Sequence, residues 1–402
     1  MLSSMCAEPQ TLVEALMDQR ERLSDIEIYT MFPVGSCSYA EPEVKDRFKV
    51  KTFSVGNLRK AVKRKQAEYI PVHFSQIGRL LLEKKIPIDV LLIQLSSPDI
   101  NGNFSCGISV EYMQEAIKAA DLVVAEINDQ MPYTYGDTLV PSAKVDYCIE
   151  VSRPLLTYDP GLLTETEEKI GKLVSDLIPD GSVLQFGPGK IYRAILKHLD
   201  HKKDIGIHTG LFTDDIIPLV EKGVITGTQK NIDRHKIIAT AIIGTRKVYD
   251  FINKNKSVKL KSSNYTHNIK VLSKINNFIS LNSAIEADLT GQVNSETIGL
   301  SLINGVGGMI DFVRGAIASD GGRAILALPS TTPDGKKSRL VPLIKEGIVT
   351  AGRADFHYIV TEYGVADLYG LTVSERAQKI ISIAHPHFRD ELKHKAVAMA
   401  LL

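Results

Sequence analysis

Two glycine-rich turns and two acidic strings are the places where this sequence could do chemistry. In Leu184-Gln185-Phe186-Gly187-Pro188-Gly189-Lys190 a β-type segment runs into a turn with two glycines and then into a helical pattern. Such a turn lets the backbone approach a ligand and aims free helix N–H groups at an anion such as a phosphate. A Gly-x-Gly after a strand also occurs as an ordinary tight turn, so this string alone leaves both readings open. The second turn, Asn304-Gly305-Val306-Gly307-Gly308, opens the helical pattern MIDFVRGAIAS. So many glycines cost backbone entropy unless a close approach demands them. The functional reading is a cradle for a diphosphate or thioester; the plain one is a structural turn.

The acidic string Ser280-Leu-Asn282-Ser283-Ala284-Ile285-Glu286-Ala287-Asp288 lies between them. Read as a strand, it places Asn282, Ala284, Glu286 and Asp288 on one face, because side chains alternate. Two carboxylates on one face suit acid–base work or a cation; they equally suit hydrogen bonds to backbone N–H groups. A further polar string, Glu126-Ile127-Asn128-Asp129-Gln130, ends a strand, where α/β proteins commonly line their ligand crevice. Gly364 stands just past another strand, where its N–H could meet an oxyanion, and His385 reads as a packed or capping residue. Arg59, Lys60, Lys63, Arg64 and Lys65 fall in one helical stretch. They form a solvated face or, alternatively, a seat for nucleotide phosphates. No His/Cys/Asp grouping has metal-ligand spacing, and no Walker A or GxSxG string occurs.

The elements that must position these residues alternate between β-type and helix-period segments, which predicts an α/β fold. Strands are expected at Ile26–Met31, Val90–Leu95, Leu122–Ile127, Val183–Phe186, Ile205–His208, Ile237–Ile243, Ile279–Ala287, Ala324–Leu328 and Tyr358–Thr361. Helices are expected at Pro9–Arg20, Glu111–Ala120, Thr166–Leu177 and Lys190–Leu199. Arg153-Pro154 to Pro160-Gly161 reads as a linker, dividing the chain into domains 1–155 and 162–402. The halves resemble each other weakly: Ala7–Phe32 and Gly187–Phe212 both run as turn, amphipathic helix and strand. If this is a duplication, the first half lacks one helix and one strand at its start.

Composition narrows the partners. At 402 residues the chain suits two cores, and 44% hydrophobic with 24% charged residues is globular. Lys+Arg 48 against Asp+Glu 47 leaves +1, which calls for neither nucleic acid nor a membrane surface. The four cysteines are scattered, and neither a signal peptide nor a membrane span is read, so a cytoplasmic protein is expected.

Several strings together resemble the acetyl-CoA hydrolase/CoA-transferase family: AEINDQMPYTYGD (125–137), DIGIHTGLFTDD (204–215), SLNSAIEADLTGQVNSETIG (280–299), NGVGGMIDFVRGA (304–316), VTEYGVADLYGLTVSERA (360–377) and IAHPHFRDEL (383–392). They lie in the family's order and span most of the chain. The resemblance implies two similar α/β domains with the active site between them, and a homodimer or homotetramer. It implies coenzyme A and acyl-CoA as substrates, no covalently bound cofactor, and a carboxylate acceptor such as acetate or 4-hydroxybutyrate. A glutamate of such enzymes attacks the thioester, and CoA then passes through a glutamyl-CoA thioester to the acceptor. Carried over, the CoA contacts are Gly187, Gly189, Lys190, Ile285, Gly305, Gly307, Gly308 and Gly364.

One position departs from that pattern. Where the family reads G-I-H-[ST]-E-M, this sequence reads Gly206-Ile207-His208-Thr209-Gly210-Leu211. Gly210 has no side chain to acylate. Three expectations follow: Glu286 takes over as the catalytic group, or water attacks with Glu286 or Glu126 as base, or CoA is bound without turnover.

Overall fold

Short Val/Ile/Leu-rich segments separated by helices bury both their faces only as parallel strands with helices packed against them. The chain does this twice. The structure, a computed structural model, describes residues 1–402. In the first half the strand order is Ala67–Tyr69, Phe48–Thr52, Ile26–Thr30, residues 1–3, Ile88–Ser96, Ala120–Asn128 and Tyr147–Val151. In the second half it is Val258–Leu260, Ile237–Ala239, Gly206–Ile207, Val183–Gln185, Phe278–Asn282, Arg323–Ala327 and Tyr358–Thr361. An antiparallel strand, Gly364–Asp367, closes the second edge. The two orders correspond strand for strand, so the fold is two similar α/β halves.

This corrects the expectation that the first half lacks a strand. Residues 1–3 supply it: Leu2 N–H donates to Tyr29 O at 2.9 Å on one side, and Ser3 N–H to Leu92 O at 3.0 Å on the other. The second half also has the helix Glu165–Asp176, lying across Arg323–Ala327 and Tyr358–Thr361. It has no counterpart on the first sheet, where Val90, Tyr147 and Ile149 are exposed.

Two expected strands divide, and both breaks occur where the chain meets the space between the halves. Ile237–Ile243 splits at Thr240, whose N–H donates to Gly210 O at 3.1 Å. Beyond it, Ala241–Ile242 pairs with Leu211–Phe212 rather than continuing the main sheet. Ile279–Ala287 ends as a strand at Asn282. A separate strand, Glu286–Asp288, pairs with Val293–Asn294 and Leu340–Val341, so Ser283-Ala284-Ile285 is a connecting loop.

The halves share one apolar core. Leu95, Ile108 and Ile127 of the first pack in the same cluster as Phe212, Ile242 and Leu260 of the second. Each such fully buried side chain stabilises the fold by roughly 1.5–3 kcal/mol. Backbone bonds cross as well, from Ile242 N–H to Ile108 O at 2.8 Å and from Leu260 N–H to Tyr135 O at 2.8 Å. Residues 152–164 form no helix or strand.

Candidate active site

A cavity of about 460 Å³ lies where the C-terminal ends of the central strands of both halves meet. Its walls repeat the pseudo-symmetry of the fold. Met5 follows residues 1–3 as Gly187 follows Val183–Gln185, and Met31-Phe32 follows Ile26–Thr30 as Gly210-Leu211 follows Gly206–Ile207. A site at such an edge is what α/β topology favours, and the volume suits a small ligand or one arm of a larger one.

The turn Gly305–Gly308 forms one wall and is braced by the first half. Phe74 N–H donates to Gly307 O at 3.1 Å, and Val306 N–H donates to the Tyr69 hydroxyl at 2.8 Å. The Asp311 carboxylate accepts from Ser75 N–H at 3.1 Å and from its hydroxyl at 2.8 Å. The helix behind this turn, Met309–Ala318, buries Ile310, Phe312, Val313 and Ala316, a spacing that holds one face on the core. Its start is therefore fixed. Gly307 has φ +56°, a left-handed conformation that side chains resist. The N–H groups of Gly307 and Gly308 have no protein acceptor, so they can serve an anionic oxygen at the helix start.

His267 faces this turn and was not found from the sequence. It follows the short helix Ser263–Thr266, and its ring is held between Phe74, with centroids 4.5 Å apart, and Phe312, at 4.3 Å. Burial pushes its pKa well below 6.5, with His208 adding to the effect, so the imidazole is neutral. Nδ1 contacts the Thr266 hydroxyl at 2.8 Å; Nε2 has no protein partner. The only sequence signal was a histidine beside a small polar run, Ser262-Ser263-Asn264-Tyr265-Thr266, with nothing to say it would meet a glycine turn from elsewhere.

Gln185 and Asn282, at the ends of neighbouring strands, also line the cavity. Asn282 Nδ2 donates to the Ser280 hydroxyl, which donates to Gln185 Oε1, both at 2.8 Å. This chain fixes the Gln185 amide and leaves its NH₂ without a protein acceptor. No Asp or Glu lines the cavity, and no cluster of three or more His, Cys, Asp or Glu could hold a metal ion.

Of the residues singled out in the sequence, Gly187, Gly210, Ile285, Gly305, Gly307 and Gly308 line the cavity. Four lie elsewhere. Gly189 faces a small separate recess, and Lys190 begins the helix behind it. Gly364 sits at the hairpin joining Tyr358–Thr361 to Gly364–Asp367, with φ +147°. Glu286 is not on the cavity wall: its Oε1 accepts from Asn294 Nδ2 at 2.8 Å, because the strand break after Asn282 turns it away. Asp288 is buried and accepts from Thr290 and Gln292, a structural role. Glu126 caps the helix Gln10–Asp18 through Thr11 N–H at 2.8 Å and Leu12 N–H at 3.2 Å, and is likewise off the cavity. His385 caps its own helix, accepting from His387 N–H.

Two similar α/β halves closing on a cavity, one wall of which is a glycine turn whose Gly307 and Gly308 N–H groups have no protein acceptor, define a protein of the CoA-transferase fold class. The profile of the acetyl-CoA hydrolase/transferase N-terminal domain matches residues 1–155, and that of its C-terminal domain matches residues 244–396. The chain belongs to the acetyl-CoA hydrolase/transferase family. It is 43% identical over 390 residues to the 4-hydroxybutyrate coenzyme A transferase of Clostridium kluyveri, covering 96% of this chain and 91% of that one. Among solved structures, RipA from Yersinia pestis superposes with a TM-score of 0.94 at 33% identity, over 100% of this chain and 94% of that one. The 4-hydroxybutyrate CoA-transferase of Porphyromonas gingivalis gives a TM-score of 0.84 at 34% identity, over 99% and 92%.

Proposed function

We propose that this protein is a CoA-transferase that binds a short acyl-CoA in the cleft between domains 1–155 and 162–402. It passes the CoA to a carboxylate such as acetate or 4-hydroxybutyrate. The observation that carries this reading is the cavity wall made by Gly305, Gly307 and Gly308, with free N–H groups at a helix start, in a chain of this family. In this reading Gly187 and Ile285 flank the pantetheine arm, and the thioester oxygen lies against the Gly307 and Gly308 N–H groups and the Gln185 amide. Glu286 supports the loop through Asn294 rather than attacking the thioester. The four cysteines are unpaired, which suits a reducing cytoplasm, and a homo-oligomer fits the family.

A second reading is acyl-CoA hydrolysis, and one observation favours it. With Gly210 at the expected nucleophile position, no carboxylate lines the cavity to compete with water for the thioester. Incubation with acetyl-CoA or butyryl-CoA, with and without acetate or 4-hydroxybutyrate, separates the two. The transfer reading predicts a new acyl-CoA only when the acceptor is present. Thiol release without acceptor supports hydrolysis, and no turnover of any short acyl-CoA removes both.

A further inference from the structure

Few side chains on the cavity wall can gain or lose a proton. Arg59 is a cation, and burial raises the hydroxyls of Tyr158 and Tyr192 above the ordinary tyrosine value, so both stay protonated. No Asp or Glu is present there. His267 is therefore the one residue of the wall that is unprotonated at neutral pH and able to take a proton.

Its neighbours fix which nitrogen does so. The Thr266 hydroxyl donates to Ser262 O at 3.2 Å, the bond a threonine makes to the carbonyl one turn back. The hydroxyl oxygen thus accepts from His267 Nδ1–H at 2.8 Å, and Nε2 carries the lone pair. Nε2 has no protein partner and is open, whereas the free nitrogen of His208, Nδ1, is sealed in. Nε2 is also the ring atom that meets two cavity-lining glycines: a Cβ would stand 2.5 Å from it on Gly308 and 3.3 Å from it on Gly210. Even a methyl at 210 would sit against Nε2; glycine leaves that nitrogen uncovered. A base thus stands beside the Gly307 and Gly308 N–H groups, which have no protein acceptor.

From this geometry we infer that His267 is the general base of an acyl-CoA hydrolysis at this site, with Nε2 taking a proton from the attacking water. This rests on acyl-CoA binding in the cavity, as proposed above, and adds water as an acceptor together with the group that activates it. The water oxygen bonds to the thioester carbonyl carbon while its proton passes to Nε2, and the carbonyl oxygen becomes an oxyanion against the Gly307 and Gly308 N–H groups. The oxyanion then returns its electron pair, the C–S bond breaks, and the sulfur leaves with the proton from Nε2. The products are the free acid and the CoA thiol, and the imidazole is neutral again. The imidazolium exists only beside the oxyanion, and their attraction offsets the burial that opposes a lone cation. A carboxylate acceptor carries no proton, so transfer to it does not call on the base.

The ratio of hydrolysis to transfer in one preparation tests this. Thiol release from acetyl-CoA without acceptor measures the first, and formation of butyryl-CoA from acetyl-CoA and butyrate measures the second. His267→Gln keeps a planar polar side chain but cannot take the proton. It should lower hydrolysis by about 10²-fold or more, and the ratio of hydrolysis to transfer by at least about tenfold. Gly210→Ala leaves His267 in place and gives an independent readout: with a methyl against Nε2, the same ratio should fall by about 3–10-fold. An unchanged ratio in His267→Gln, with both activities falling together or neither falling, overturns the inference. So does a wild-type protein that exchanges CoA between carboxylates but releases no thiol. Hydrolysis that persists without exchange, and is lost in His267→Gln, removes the transfer reading and leaves the base. No turnover of any short acyl-CoA overturns both.

Discussion

Gly308 and His267 are packed so closely that no side chain fits between them: a Cβ on Gly308 would lie 2.5 Å from both Nε2 and Cδ2 of the imidazole. The glycine is therefore required by the ring, and the ring by the cavity it faces. Phe74 holds both, stacking edge-on against His267 and donating its N–H to Gly307 O. The first half thus positions the glycine wall of the second.

Gly308→Ala should displace His267 and disturb the N–H pair at the helix start. We expect kcat/KM to fall by at least about tenfold and stability by about 1–3 kcal/mol, the usual cost of overpacking. Steady-state kinetics and urea denaturation check this. Unchanged kinetics would show that His267 takes no part.

Glu286→Gln should keep kcat within about twofold, because Gln still accepts from Asn294 and the carboxylate does not reach the cavity. A general base or nucleophile at this position would instead cost about 10²–10⁴-fold. The size of the kcat change decides between these roles.

The first half of the sequence pattern and the first half of the fold agree well where periodicity was strong. Val90–Leu95 and Leu122–Ile127 became the strands Ile88–Ser96 and Ala120–Asn128, both buried on one side by helices. Phe48–Thr52 was missed because Lys49 and Lys51 break the apolar pattern; their alternation with Phe48 and Val50 is that of a strand with one exposed face. The broken strand at Ser283–Ile285 was illegible for a different reason. Its residues suit a strand, and only the pairing of Glu286–Asp288 with two distant segments ends it. Both glycine turns were legible as ligand candidates, yet only one faces the cavity in full, since Gly189 turns to its own recess. His267 was illegible because its role depends on Gly210, Gly308 and Phe74, three residues remote from it in sequence.

Arg59 lines the cavity, and Lys60, Lys63, Arg64 and Lys65 beside it form no ion pairs. Only Arg59 is placed to meet a ligand; its neighbours face solvent. Arg59→Ala should raise KM for acetyl-CoA about 3–10-fold, with the effect weakening in high salt. With acetyl-pantetheine, which lacks the nucleotide, the same substitution should change KM much less if the arginine meets the phosphates. An equal effect on both substrates would place its contact on the acyl or acceptor side.

Glu111 is buried, and burial raises its carboxyl from 4.5 to about 7 even though Ser4 and Ser109 donate to it. The folded state therefore favours the protonated form. Its contribution is complete below pH 4.5 and is lost as pH rises through about 7, because the unfolded chain ionises first. Glu111→Gln should remove this dependence: relative to wild type, the variant gains stability from pH 5 to 8, on the order of 3 kcal/mol at most. Denaturation at several pH values measures it. A difference independent of pH would show that Glu111 does not titrate in this range.

The most direct test is a crystal structure with coenzyme A bound. The thiol end of the pantetheine arm should lie in the cavity between the halves, with its sulfur or acyl oxygen about 3 Å from the N–H groups of Gly307 and Gly308. A pantetheine arm seated away from Gly308 and His267 would contradict this account.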